Sequence, residues 1–156
     1  MHKDALLIGW REWAKLPDLN VPLIKVKIDT GAKTSALHAY DIQRIKENGK
    51  ELVEFVVHPV QKNNLICCKS RAEIIDIRII KSSNGHKEER IVIQSPIQIG
   101  SHYENIEITL TNRDIMYHRM LLGREAMKGL IINPIKSYCQ GKFTSKEAVG
   151  VYKKFI

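Results

Sequence analysis

Ile24-Lys25-Val26-Lys27-Ile28-Asp29-Thr30-Gly31-Ala32 is the stretch that decides the fold. Apolar residues at 24, 26 and 28 alternate with lysines, the period of a strand with one buried face. That strand runs out into a carboxylate, a hydroxyl and a glycine. Asp29 supplies a carboxylate that can share a proton with a partner and activate a water. Thr30 supplies a hydroxyl to hold the turn, and Gly31 lets another backbone or a substrate come close to the carboxylate. The same residues also spell an ordinary Asx turn, with Asp29 capping the bend and Gly31 at positive φ. A second element favours chemistry: Met120-Leu121-Leu122-Gly123-Arg124, far downstream, followed by the helix-compatible Glu125-Ala126-Met127-Lys128.

The two elements together resemble the retropepsin pattern, in which an Asp-Thr-Gly-Ala turn and a later apolar-apolar-Gly-Arg segment build one catalytic loop. The resemblance lengthens with Gly9-Trp10-Arg11-Glu12-Trp13, Leu16-Pro17-Asp18-Leu19, and Lys27-Ile28-Asp29-Thr30-Gly31-Ala32-Lys33-Thr34-Ser35-Ala36-Leu37-His38-Ala39. Over about residues 7–134 the chain is similar to the bacterial retropepsin-like family often catalogued as ATP-dependent zinc proteases. The resemblance implies an all-β, closed acid-protease barrel of six to seven strands with one short helix after Gly123. It implies catalysis by Asp29, with Thr30 hydrogen-bonding across a dimer axis and Gly31 flooring the site. Ala32 and Lys33 would meet substrate, while Gly123 and Arg124 would support the loop. Retroviral members carry an acidic residue after Asp-Thr-Gly-Ala to pair with the arginine. Here that position is Lys33, so Arg124 needs another carboxylate, Asp114 or Glu125.

Length sharpens the mechanism. A chain of 156 residues reads as one domain over 1–156, with one core and no room for a second catalytic lobe. The second carboxylate is therefore expected from another copy of the chain. Two aspartates that close would hold one proton between them. A flap should cover the substrate, and residues 81–88 fit its tip because Asn84-Gly85 makes a compact turn there.

The net charge is +8, from 25 Lys and Arg against 17 Asp and Glu, which favours acidic partners. No dense basic run stands out and aromatics are only 6%, which argues against a single-stranded nucleic-acid platform. An acidic peptide, or a protein tail extended by amino acids such as glutamate, is the expected substrate. It joins the charge to the family's association with ATP-grasp ligases that append amino acids to proteins. The alternative is a non-catalytic domain of the same fold that binds a peptide or regulates.

Three cysteines, Cys67 and Cys68 adjacent and Cys139 alone, make no disulfide framework and suit a reducing compartment. The apolar run at residues 5–8 is too short for a signal-peptide core, and no stretch reaches membrane-span length, so cytoplasm is the expected location and no membrane contact is expected. No cofactor is expected: there is no His-Glu-x-x-His pair and no Gly-rich phosphate loop. No metal is expected either, although His38, His58 and a cysteine could converge in space.

The remaining texture is β. Residues 22–28, 52–57, 74–80, 90–99 and 106–110 read as strands, with Asn48-Gly49 as a hairpin signal and 82–88 as an exposed tip. Residues 36–45 fit helix and strand periods about equally. Helical signal is confined to 124–129, and 137–156 reads as a C-terminal tail or a late strand. Trp10 and Trp13 read as core or dimer-contact residues.

Overall fold

A computed structural model describes residues 5–60, 65–81, 84–112 and 118–153. Among them the strands are β1 (Leu6–Ile8), β2 (Arg11–Leu16), β3 (Val21–Ile28), β4 (Ser35–His38), β5 (Tyr40–Glu47) and β6 (Lys50–Val57). They continue with β7 (Cys68–Glu73), β8 (Asp76–Lys81), β9 (Lys87–Ile99), β10 (His102–Thr111), β11 (Met120–Leu122) and β12 (Leu130–Ile132), before helix α1 (Ser145–Lys153).

Six strands close a barrel in the order β10-β4-β11-β3-β2-β9, with β9 pairing back onto β10. Closure leaves these strands without open edges. The interior is aliphatic: Ile24, Leu37, Ile93, Ile97, Ile108, Met120 and Leu122 are all fully buried. Period-2 alternation is the cause. In β3 the side chains of Val26 and Ile28 turn inward while Lys27 stays exposed.

One topological feature positions the site. Strands β3 and β4 follow each other in the chain but are not neighbours, because β11 fills the slot between them. It runs parallel to β3, with Met120 opposite Val26 and Leu122 opposite Ile28, and antiparallel to β4. The turn leaving β3 at Asp29 and the turn leaving β11 at Gly123 are thereby brought to the same end of the barrel.

Strand β9 serves two partners. Its later residues pair β10, while its first residues continue past the barrel and pair β8 from Lys81↔Lys87 to Asp76↔Val92. The β8–β9 hairpin is thus an arm on the barrel wall. A separate three-stranded sheet has the order β5-β6-β7, and β1 pairs β12 in parallel.

Sequence expectation and structure differ at several elements. Residues 36–45 form two strands, β4 and β5. The 74–80 strand starts at Asp76 and is preceded by a second strand, β7. The helix expected after Gly123 is a single 3-10 turn, Arg124–Ala126, whereas the α-helix lies at Ser145–Lys153. Described residues beyond 137 are laced to the barrel: Tyr138 N–H donates to the Arg11 carbonyl at 2.9 Å. The Tyr152 hydroxyl accepts from Leu23 N–H at 3.2 Å and donates to the Leu23 carbonyl. No described helix is long and apolar enough to cross a membrane.

Candidate active site

The Asp29 turn is held by backbone on both sides. Its own N–H donates to the Leu122 carbonyl at 2.9 Å, fixing it to the end of β11. Oδ1 accepts from Gly31 N–H at 3.0 Å, and the Asp29 carbonyl accepts from Ala32 N–H at 3.2 Å. This is an Asx turn, but Gly31 is not at positive φ. Asp29 Oδ2 has no protein partner among the described residues. One carboxylate oxygen is used to set the geometry and the other is free for chemistry.

Gly123 shows why glycine is needed in the second loop. A Cβ there would lie 2.5 Å from the carbonyl carbon of Thr34 and 2.9 Å from that of Lys33. The missing side chain lets the two loops lock. Gly123 N–H donates to Ser35 Oγ at 3.0 Å, Arg124 N–H to the Ala32 carbonyl at 2.8 Å, and Glu125 N–H to the Lys33 carbonyl at 3.1 Å.

The expected charge brace is rearranged. Arg124 Nη1 donates to the Thr30 carbonyl at 2.9 Å, so the guanidinium supports the turn through its backbone. Glu125 pairs instead with Lys33 at 3.7 Å, both side chains being at least half exposed. Such a pair contributes at most about 1 kcal/mol. Asp114, the other expected partner, lies outside the described residues.

Asp29, Gly31, Ala32 and Lys33 line an open cleft of about 1160 Å³, together with Ala36, Leu121 and Glu125. Its far wall is the β8–β9 arm, through Arg78, Ile79, Ile80, Lys81 and Arg90, with Glu107 and Thr109 from β10. The β8–β9 hairpin expected to supply a flap flanks the cleft, and of the described residues in the expected 81–88 tip only Lys81 lines it. Asn84 and Gly85 are exposed at the tip, Gly85 at φ +85°, and neither is among the lining residues. Ser82 and Ser83 lie outside the described residues. Thr30 is exposed on the turn without lining the cleft.

Residue-by-residue reading missed Ser35, Arg78, Arg90, Glu107 and Thr109. Arg78 donates through Nε to Asp76 and through Nη1 to Glu107, each at 2.7 Å. Hydrogen bonds from Glu107 first, then Asp76, hold its pKa above the ordinary arginine value. Arg90 donates through Nε to Glu88 at 2.9 Å, and its Nη1 makes a long 3.5 Å contact with Thr109 Oγ1. The fully buried Thr109 donates in turn to the Ser35 carbonyl at 3.1 Å.

Among the described residues the zinc implied by the family label finds no cradle. Among the described residues no three His, Cys, Asp or Glu side chains are grouped to hold a metal. Tyr40 packs against both His38 and His58, with ring centroids 4.6 Å from each. Cys67 is exposed just before β7, and Cys68, its first residue, is buried. Burial, then the neighbouring Cys67, pushes the Cys68 thiol up to about 11, away from ligand or nucleophile chemistry. Trp13 is core, stacked on Tyr138 and edge-on to Phe143.

Comparison with known proteins agrees with this geometry. A family model described as RimB-like, "Retropepsin-like aspartic endopeptidase RimB", matches residues 7–143. A probable alpha-L-glutamate ligase of Shewanella halifaxensis is 44% identical over 153 residues, covering 97% of this chain and 33% of the relative. One of Desulfotalea psychrophila is 45% identical over 145 residues, covering 92% and 31%. The chain therefore spans about a third of the length of the curated relatives it matches. A Legionella pneumophila crystal structure of unknown function superposes with a TM-score of 0.72 at 27% identity, covering 86% of this chain and 98% of the other. From the Asp29 turn, its Gly123-Arg124 counterpart and the family match, the chain belongs to the RimB-like family of retropepsin-like aspartic endopeptidases.

Proposed function

We propose that the protein is an aspartic-type peptide hydrolase that works as a homodimer on acidic peptides or glutamate-extended protein tails. The observation that carries this reading is Asp29 itself. Its Oδ1 is fixed by Gly31 N–H while Oδ2 is unpartnered among the described residues, and the residue lines an open cleft of about 1160 Å³. One such carboxylate is half of a dyad, and a two-fold axis beside the turn supplies the other half from a second copy.

The two Asp29 carboxylates then hold one proton between them, because like charges at that distance do not both ionise cheaply. The ionised member takes a proton from water as the water oxygen bonds to the scissile carbonyl carbon. The protonated member donates to the carbonyl oxygen. Collapse of the tetrahedral adduct breaks the C–N bond as the proton taken from water passes to the leaving amine, and an adduct hydroxyl returns its proton to the other carboxylate, restoring the singly protonated dyad. No covalent intermediate is required. In the dimer the Thr30 hydroxyl is available to hydrogen-bond across the axis, and the locked Gly123 loop keeps both turns rigid.

Two facts support an acidic substrate. Lys33, Arg78, Lys81 and Arg90 line the cleft, and relatives carry this segment inside proteins named probable alpha-L-glutamate ligase. An enzyme that forms glutamyl peptide bonds joined to one that breaks them would set tail length. Where the chain stands apart from a ligase, an ATP-grasp enzyme is the expected functional partner. The free thiols suit a reducing compartment, hence the cytoplasm.

The test is hydrolysis of a fluorogenic glutamate-rich peptide by wild type and Asp29→Asn in parallel. The variant should lose turnover by at least about a thousandfold, the scale of losing a general base. Equal activity would remove Asp29 from the mechanism. Tight peptide binding with no turnover by wild type would favour the non-catalytic reading.

A further inference from the structure

We infer that Arg78 and Arg90 form a pre-oriented guanidinium pair that takes the acidic side chains of the substrate and so determines specificity. Arg78 on β8 and Arg90 on β9 are direct register partners in the arm. Direct cross-strand partners project to the same face, so two cations stand side by side on the wall of the cleft that contains Asp29. Like charges placed opposite one another destabilise a hairpin. Something must hold them there.

Four neighbouring groups do so. Asp76 and Glu107 take Nε and Nη1 of Arg78, and Glu88 and Thr109 take Nε and Nη1 of Arg90. Neither Nη2 has a protein partner among the described residues. The Arg90 side chain is only 15% exposed, so it is not a surface arginine sampling many rotamers. Each guanidinium has Nε and Nη1 engaged and Nη2 left over, which is how a site is prepared for an incoming carboxylate. Arg90 is also linked to the catalytic loop. The path runs from Arg90 to Thr109, from Thr109 to the Ser35 carbonyl, and from Ser35 Oγ to Gly123 N–H. The spacing of the cationic pair from Asp29 is thereby built into the barrel.

This inference takes its substrate from the peptidase reading, but its geometry stands apart from it, so both binding and cleavage are measured. The probes are a hexaglutamate and a hexaglutamine peptide, each with the same fluorophore, tested against the full chain. For wild type the acidic peptide is preferred. In Arg90→Gln the KM for the acidic peptide rises about ten- to a hundredfold, the value of one or two charge-assisted hydrogen bonds, and the ratio of kcat/KM between acidic and neutral peptide falls by the same factor. Arg78→Gln leaves Glu107 without its cation, so the double variant Arg78→Gln/Glu107→Gln is made as well. It preserves the net charge of the cleft while removing the fork.

Loss of acidic preference in the double variant supports the subsite. Retained preference with full folding, or a loss of stability alone, overturns it and leaves the pair as a brace of the arm. If wild type cleaves neither peptide, anisotropy with the same two peptides still decides. Hexaglutamate binding that Arg90→Gln and the double variant lose supports the subsite while rejecting the peptidase reading. Equal affinity for both peptides rejects the subsite.

Discussion

At Gly123 the two loops of the site touch so closely that a methyl group has nowhere to go. The clash of a Cβ is with the backbone of Thr34 and Lys33, at 2.5–2.9 Å, not with the end of a flexible side chain. Gly123→Ala should therefore cost about 2–3 kcal/mol, at the upper end for overpacking, and should lower activity through displacement of the Asp29 turn. Urea unfolding checks the first effect. An unchanged midpoint would mean that the loops separate easily. At Asp29 the expectation is opposite: Asn keeps an oxygen for Gly31 N–H, so the inactive variant should unfold within about 0.5 kcal/mol of wild type.

His118 makes the pH dependence predictable. It is buried edge-on to Trp10, and burial first, then Lys27, Arg11 and Lys25, hold its pKa down to about 4. Unfolded, the ring titrates near 6.5, so between about 4 and 6.5 the unfolded chain binds more protons than the folded one. The contribution is fully present above about pH 6.5 and is lost as pH falls towards 4, by up to about 3 kcal/mol. His118→Gln should flatten the difference in unfolding free energy between pH 7 and pH 4.5 by a measurable part of that amount. An unchanged difference would place the acid sensitivity in other groups.

At the scale of elements, two Asn-Gly pairs show what a sequence makes legible. Asn48 and Gly49 both take positive φ, 53° and 78°, and Glu47 pairs Lys50 across a two-residue turn. That hairpin follows from turn chemistry alone. At Asn84-Gly85 only Gly85 has positive φ among the described residues, and the closing pair is Lys81↔Lys87. A two-residue turn on Asn84-Gly85 would shift the register by one residue, putting Ile91 instead of Arg90 opposite Arg78 and sending one of the two arginines to the other face. The arm was legible, but its inward cations depended on a register that local chemistry does not set. The buried Glu12 was equally hidden. Its carboxylate collects N–H groups from Gly9, Cys139 and Gln140 at 2.7–3.0 Å, partners up to 128 residues distant. The Asp29 and Gly123 loops, by contrast, are read by residue type, because a carboxylate turn and a crowded glycine leave a local signature.

Helix α1 is the element sequence patterning places least well, since among its described residues only Ala148 and Tyr152 are buried, with Val149 and Val151 partly buried against the core. Both backbone groups of Leu23 are satisfied by one phenol, that of Tyr152. Tyr152→Phe leaves them unpaired in a buried setting and should cost about 1–3 kcal/mol. Hydrogen exchange at Leu23 N–H should accelerate in step. A protected amide in the variant would show that α1 docks by packing alone.

For the whole molecule, six closed strands make a rigid frame, and the site at one end of it carries a single Asp-Thr-Gly turn. Under the proposed mechanism such a frame presents half of a catalytic dyad and takes the other half from a symmetry-related copy. The most direct test of that claim is subunit mixing. Wild-type protein at fixed concentration is re-equilibrated with increasing amounts of Asp29→Asn, and hydrolysis of the glutamate-rich peptide is followed. If two Asp29 residues share one water, wild-type subunits are drawn into inactive mixed dimers. Activity then falls by about half at equal amounts and continues towards zero as the variant is raised. Activity that stays constant while the variant accumulates would show that each chain cleaves alone, and would contradict the dyad.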